Sequence, residues 1–153
     1  MAGRILALDE WLFHDLWGEN GPERLGETLH LLEAILAQCD RILFPPGSPW
    51  AEKAFALAKR GDPPIRVAAR LLFGGFLWNA EKTTVPDHEG NLGTQGSSIP
   101  QEDRYLVKAA LASRAEVLVT TDQGLLQALR ATNLLPVKER GEFLQEYLGK
   151  GVS

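Results

Sequence analysis

The sequence predicts an α/β fold, a three-layer α/β/α sandwich with a short, mostly parallel central sheet. Short apolar runs typical of buried strands alternate along the chain with longer stretches of helical periodicity, which is the pattern of βαβ units. The 153 residues fit a single domain, 1–153. Hydrophobic residues make up 44% of the chain and charged residues 24%, so a core can form without a metal or disulfide staple.

The first half of the chain carries two predicted strands, at 4–8 and 41–44, each followed by a helical pattern. Ser48 and the proline after it are typical of an N-cap and a first helical turn, which predicts a helix through about Lys59. Residues 67–82 fit either a helix or a strand. An apolar stripe predicts the helix between the two strands and places its cysteine in the core; it consists of Leu25, Leu29, Leu32, Leu36 and Cys39.

The second half starts with a long predicted loop, 83–98, which is rich in turn residues and lacks apolar periodicity. Beyond this loop, helical patterns again alternate with strand patterns. The predicted elements are a helix at 100–113, a strand at 117–119, a helix marked by Leu125, Leu126 and Leu129, a strand at 134–137 and a helix at 139–148.

The net charge is −4, but its sign varies along the chain. Residues 1–40 hold two Lys/Arg against eight Asp/Glu, whereas residues 41–82 hold seven against three. The basic block is either a solvated helix face or a patch that attracts phosphate groups. The longest apolar run, 71–78, is too short to cross a bilayer and is a candidate homodimer interface. Acids near the start of the chain argue against a signal peptide, so we expect a soluble, cytoplasmic protein.

Four acidic residues stand where strands end or helices begin. Asp9 and Asp122 follow predicted strands, and Asp103 and Glu52 lie near helix starts. If the two strands are neighbours, the carboxylates converge at one sheet edge, where their mutual repulsion favours a bound cation. Oxygen ligands select Mg²⁺ or Mn²⁺, and carboxylate-bound cations suit phosphoryl chemistry. Each acid also has a structural alternative, since Asp122 and Asp103 suit helix N-termini and Glu52 suits a solvated helix face.

The stretch IPQEDRYLVKAALASRAEVLVTTDQGLLQAL resembles the C-terminal half of a PIN domain. The shared pattern is an acid that opens a helix, an Ala-rich run, a strand close to LVT and an aspartate followed by paired leucines. The stretch ALDEWLFHDL resembles the opening strand of the family, with Asp9 in its first acidic position. The resemblance implies an α/β/α sandwich and a metal-dependent ribonuclease site, with Asp9, Glu52, Asp103 and Asp122 as catalytic residues and metal ligands. Many family members are toxins of toxin–antitoxin pairs, so an antitoxin-like protein is a candidate partner.

Three features depart from the family pattern. Glu10 stands where the family usually has Thr, Ser or Asn, and it is a candidate fifth carboxylate. Gly124 lies where many relatives carry another acid, and the loop 83–98 is longer than the connection common in toxin members. Thr121, just before Asp122, is either a hydrogen-bond partner of the site or an ordinary strand-end residue.

The sequence thus predicts an endoribonuclease that hydrolyses RNA phosphodiester bonds with Mg²⁺ or Mn²⁺. The alternative is a catalytically inactive PIN-like scaffold that binds RNA or a protein partner. A phosphohydrolase or receiver that uses an aspartyl phosphate is disfavoured, because Trp11 occupies the place of a second Asp and 41–46 offers no acid at a strand end. His14 and the triplet 87–89 fit solvated positions, and Trp50 fits the core or a base-stacking role.

Overall fold

Five parallel strands form the central sheet of the computed structural model, which describes residues 3–149. They are β1 (Ile5–Leu8), β2 (Arg41–Leu43), β3 (Thr83–Thr84), β4 (Val117–Thr120) and β5 (Val137–Glu139). Their order is β3-β2-β1-β4-β5, and every neighbouring pair is parallel. The chain therefore builds the sheet outwards from β1, first to one side through β2 and β3 and then to the other side through β4 and β5.

Seven α-helices accompany the sheet in the described part of the chain. They are α1 (Trp11–Leu16), α2 (Pro22–Leu36), α3 (Pro49–Ala58), α4 (Pro63–Leu72), α5 (Arg104–Ala112), α6 (Gln123–Thr132) and α7 (Arg140–Gly149). Because parallel crossovers are right-handed, α1–α4 cover one face and α5 and α6 cover the other. Helix α7 packs against α2 and so joins the first face. The predicted three-layer α/β/α sandwich is confirmed, with a sheet that is wholly parallel.

Side-chain caps fix the starts of two helices. The N–H of Ala51 donates to Ser48 Oγ at 3.2 Å, which confirms the predicted cap of α3. Asp122 Oδ1 accepts from the N–H groups of Gly124 and Leu125, at 2.9 and 3.2 Å, and caps α6. Both helices begin on the carboxyl side of the sheet, where α/β proteins place their ligands.

Three details differ from the sequence-based predictions. Cys39 is exposed, because α2 ends at Leu36 and the cysteine lies beyond its apolar stripe. The predicted loop 83–98 begins with the edge strand β3, whose two residues are too few to show a periodicity. The last strand is β5 rather than 134–137, because a three-residue strand beside a proline carries little alternation.

The longest apolar run of the chain, 71–78, packs mostly into the core. Leu72 closes α4, and Phe73 and Phe76 are buried in the π-helical turn Phe73–Leu77 that follows. Trp78 is the exception among the large side chains of this run, with 78% of its surface exposed. Within residues 3–149, no helix combines the length and the apolar character that a membrane span needs.

A polar cluster joins the start of β1 to α7. Asp40 accepts hydrogen bonds from the backbone N–H of Arg4 (2.8 Å), from the guanidinium of Arg4 (3.1 Å) and from the hydroxyl of Tyr147 (2.8 Å). Burial raises the pKa of Asp40, but these hydrogen bonds and the charge of Arg4 outweigh burial and lower the pKa below its ordinary value. The ionised form of Asp40 therefore stabilises the folded chain.

We expect Asp40→Asn to lower the free energy of unfolding at neutral pH by about 1–3 kcal/mol, because its charge-assisted hydrogen bonds are lost. A lowered pKa gives stability that is present above the ordinary Asp value of about 3.9 and disappears as the pH falls through the folded-state value. In urea unfolding, the two proteins should therefore converge below about pH 4. Asp62→Asn, at an exposed Asp, is the control, and a difference that persists in acid would contradict the assignment.

Candidate metal centre

The carboxyl ends of β1 and β4 form the topological switch point of the sheet, because the chain builds outwards in opposite directions on either side of them. The two strands pair in parallel, with Leu8 opposite Val119. The N–H of Asp9 donates to the carbonyl of Val119 at 3.0 Å and extends this pairing. Asp9 and the segment that leads to Asp122 therefore leave the sheet side by side.

Asp9 is buried at this switch point, with 8% of its surface exposed. Its Oδ1 accepts from the N–H of Glu10 at 2.7 Å, and its Oδ2 accepts from Thr120 Oγ1 at 2.7 Å. Burial raises the pKa of Asp9, the two hydrogen bonds lower it, and the charges of Glu10 and Asp122 raise it further. The net pKa lies above the ordinary value, so the carboxylate form of Asp9 is stabilised by a cation placed beside it.

Thr120 links the two strand-end aspartates. Its hydroxyl donates to Asp9 and accepts from the N–H of Asp122 at 3.0 Å, and its side chain is fully buried. The sequence-based candidate for such a contact was Thr121, which is exposed. Successive strand residues point to opposite sides, so the choice between two adjacent threonines depends on the register of β4, which the sequence alone did not supply.

Asp103, Asp122 and Glu102 bring three carboxylates together. One oxygen of each lies within 4.8 Å of the others. Asp103 ends the 3-10 turn Gln101–Asp103 directly before α5, whereas Asp122 begins α6. Glu102 was not among the sequence-predicted residues, although its position beside Asp103 at a helix start was a usable signal.

Asp103 is the member of this cluster whose ionised form is most destabilised by its surroundings. It is 6% exposed, and its Oδ2 is buried without a hydrogen-bond partner. Burial, with added repulsion from Asp9 and Asp122, raises the pKa of Asp103 to about 7. A buried, unpartnered carboxylate oxygen beside further carboxylates fits a divalent cation, because the cation supplies both the missing partner and the missing charge. The residues present therefore suit Mg²⁺ or Mn²⁺.

Glu10 lies beside this cluster but is held by other partners. Lys53 Nζ lies 2.8 Å from its Oε1, and the hydroxyl of Tyr105 donates to its Oε2 at 2.6 Å. Burial and this hydrogen bond raise the pKa of Tyr105, so its hydroxyl stays protonated and keeps donating. Both oxygens of the candidate fifth carboxylate are thus occupied by side chains of α3 and α5.

Asp9 lies beside, but not within, the group of three carboxylates whose oxygens approach within 4.8 Å, and Glu52 makes none of the contacts described above. It is exposed on α3, and the described carboxylate group consists of Glu102, Asp103 and Asp122. The next residue, Lys53, is the one that reaches Glu10, and adjacent helical residues point about 100° apart. A role for Glu52 as a ligand stays a prediction.

Two tryptophans hold the strand ends that carry the site. The indole N–H of Trp50 donates to the carbonyl of Leu8 at 2.6 Å, and that of Trp11 donates to the carbonyl of Val119 at 2.9 Å. Trp50 is fully buried and Trp11 is 4% exposed. Trp50 therefore belongs to the core rather than to a base-stacking surface, and both side chains position the backbone that precedes Asp9 and Asp122.

The remaining sequence candidates lie in solvent. His14 pairs with Glu19 at 2.7 Å on the surface of α1, and His88 pairs with Asp87 at 2.6 Å. Among the described residues, the group around Asp103 is where acidic, histidine or cysteine side chains approach closely enough to hold an ion.

The carboxyl edge of β1 and β4 is thus a strongly anionic crevice with hard oxygen ligands, fixed by buried hydrogen bonds to Thr120 and to the backbone. Such a crevice can bind a divalent cation and present it to a phosphate group. No protein-family model matches the chain, and no curated protein matches it significantly.

Proposed function

We propose that this chain is a PIN-like ribonuclease that hydrolyses RNA phosphodiester bonds with Mg²⁺ or Mn²⁺. The observation that carries the proposal is the buried Oδ2 of Asp103, which has no protein partner, on a residue whose carboxylate lies close to those of Asp122 and Glu102. An oxygen in that state is costly unless a cation binds it. The proposed ligands are Asp103 and Asp122, with Asp9 beside them and Glu52 as the further predicted acid.

When bound, the ion would polarise the phosphodiester and lower the pKa of water. Asp103 and Asp122 would hold the ion, and the hydroxyl of Thr120 holds the carboxylate of Asp9 beside them. Lys53 lies within ion-pair distance of Glu10 and offers a positive charge where an RNA phosphate approaches. Further basic residues of the segment 41–82 are exposed just after α3 and on α4. Their positive charges favour an anionic polymer over a neutral substrate. They are Lys59, Arg60, Arg66 and Arg70.

The test compares Asp122→Asn with the wild-type protein. Asn is as good an N-cap as Asp and keeps the acceptor for Gly124 and Leu125. The variant should therefore fold, and its metal-free melting temperature should not fall below that of the wild type, because a charge that repels Asp9 and Asp103 is removed. Loss of one charged ligand should reduce cleavage of a fluorescent single-stranded RNA by more than about 100-fold, beyond the usual effect of an outer-shell change. Calorimetric titration should show Mn²⁺ binding to the wild type and a much weaker affinity in the variant.

Glu116→Gln is the matched control, because it removes one exposed carboxylate just before the opposite end of the same strand, β4. It should bind Mn²⁺ and cleave RNA like the wild type. A wild-type protein that binds RNA without binding Mn²⁺ would rule out this mechanism and identify the chain as a scaffold. Equal cleavage by Asp122→Asn and the wild type would also contradict the proposal.

A further inference from the structure

A cavity of about 480 Å³ lies next to the carboxylate cluster, at the carboxyl ends of β2 and β3. Its walls are the loop between β2 and α3, the segment 86–90, and α5. Tyr105 joins it to the cluster, since its ring lines the cavity and its hydroxyl donates to Glu10. The cavity and the candidate metal centre therefore occupy one continuous sheet edge, and the volume lies in the range of small-molecule sites.

The walls combine apolar residues with the ion pair of Lys108 and Glu89 and with His88. The ring of Tyr105 lines one side, and Lys108 Nζ lies one helical turn further along α5. The partner of Lys108 is Glu89 at 3.5 Å, and the side chain of Glu89 is 83% exposed. Such an exposed pair contributes little, so a phosphate can replace Glu89 as the partner of Lys108. The remaining flat surfaces are four proline rings, those of Pro45, Pro46, Pro49 and Pro86.

The cavity is preformed on two sides. Ser48 Oγ donates to the carbonyl of Pro45 at 2.6 Å and fixes the loop before α3. On the opposite wall, Gly90 lies against α5 so closely that a Cβ would overlap the backbone carbonyl of Lys108. Glycine is thus required for the segment 86–90 to close against α5, and a side chain at this position would move the wall outwards.

We propose that this cavity binds one nucleotide of the RNA, adjacent to the bond that is cleaved, an inference that rests on the proposed function. Flat proline and tyrosine surfaces suit a nucleobase and its ribose, and Lys108 suits the attached phosphate. The position beside the carboxylate cluster places the neighbouring phosphodiester at the candidate metal centre. The segment 86–90 that closes the cavity also limits the space for a base, so we expect one base to fit better than the other three.

The test measures nucleotide binding without cleavage. Labelled protein, free of divalent ions, is titrated with each of the four ribonucleoside 5′-monophosphates while backbone amide resonances are followed. The amides of Gly47, Gly90 and Lys108 should shift together, and one base should bind more tightly than the other three. Lys108→Gln should weaken binding about tenfold, as the loss of one charge-assisted contact predicts, and Gly90→Ala should weaken it as well.

Lys138→Gln is the matched control. Lys138 lies on β5, at the edge of the sheet opposite β3, and is paired with Glu146 of α7. Its replacement should leave nucleotide binding unchanged. Cavity amides that do not shift, or equal affinities of Lys108→Gln and Lys138→Gln, would overturn the inference. RNA cleavage is scored separately. If the cavity binds a nucleotide but the protein does not cleave RNA, the proposed ribonuclease activity is wrong. The proposal that the bound nucleotide is part of an RNA substrate is then wrong as well. RNA cleavage by Lys108→Gln with the same KM as the wild type would refute the cavity's role and leave the ribonuclease intact.

Discussion

Asp103→Asn is expected to abolish metal-dependent RNA cleavage and, in the absence of metal, to make the protein more stable. Both effects have one cause. The carboxylate of Asp103 is buried, repelled by Asp9 and Asp122, and left with an unpartnered Oδ2. Asn keeps the shape and removes the charge, so the repulsion disappears together with the ligand. The loss of cleavage should exceed about 100-fold, because a proposed direct ligand is removed.

The stability gain has a defined pH dependence. Burial and the neighbouring carboxylates raise the folded-state pKa of Asp103 to about 7, above the ordinary value of about 3.9. The folded chain therefore holds this proton more tightly than the unfolded chain does. Stability falls as the pH rises between these two values, and the full cost is present above about pH 7. The melting temperature of Asp103→Asn should match that of the wild type near pH 4 and exceed it at pH 8.

Added Mn²⁺ should reverse this order at pH 8, because ligands that bind only the folded state raise its stability by mass action. The wild type should gain melting temperature with Mn²⁺, and Asp103→Asn should gain little. Glu102→Gln is the control for charge alone, since Glu102 is exposed in the same cluster, and its metal-free stability should change much less. A metal-free Asp103→Asn protein that is less stable than the wild type at pH 8 would contradict the electrostatic account.

The sequence predicted the part of the site that depends on strand ends. Asp9 and Asp122 follow apolar runs, and parallel strands bring such positions to one edge whatever the details of packing. Asp103 was found because an acid at a helix start near a strand is a local pattern. The fold class followed for the same reason, since alternation of strands and helices requires no knowledge of long-range contacts.

The residues that the sequence did not predict depend on contacts between distant segments. The hydrogen bond between Tyr105 and Glu10 joins residues 95 positions apart, and no local period indicates it. Thr120 was missed in favour of Thr121 because the choice requires the register of β4. The cavity beside Tyr105 requires the segment 86–90 to close against α5, and the sequence indicated only a loop there.

The buried ion pair between Asp15 and Arg140 joins α1 to α7 behind the site. Arg140 Nε donates to Asp15 Oδ2 at 2.7 Å, and the two residues are 4% and 0% exposed. Thr28 also donates to Asp15 Oδ2, at 2.9 Å. The guanidinium lies 5.4 Å above the ring of Trp11, whose indole holds the end of β4. Arg140 has a second carboxylate partner in Glu27, at 3.1 Å, with 47% of the Glu27 side chain exposed.

Asp15→Asn is therefore expected to lower the free energy of unfolding by about 3–5 kcal/mol, because it leaves the guanidinium of Arg140 buried without its main counter-charge. Glu27→Gln removes a carboxylate from the same guanidinium at an exposed position and should cost less than about 1 kcal/mol. Urea unfolding of the two variants measures the difference directly. Equal destabilisation by the two variants would contradict this prediction, because it would mean that the exposed Glu27 balances the charge of Arg140 as well as the buried Asp15 does. Because neither residue belongs to the carboxylate cluster, RNA cleavage by Asp15→Asn well below its melting temperature should match the wild type, which separates the stability of this scaffold from the chemistry at the sheet edge.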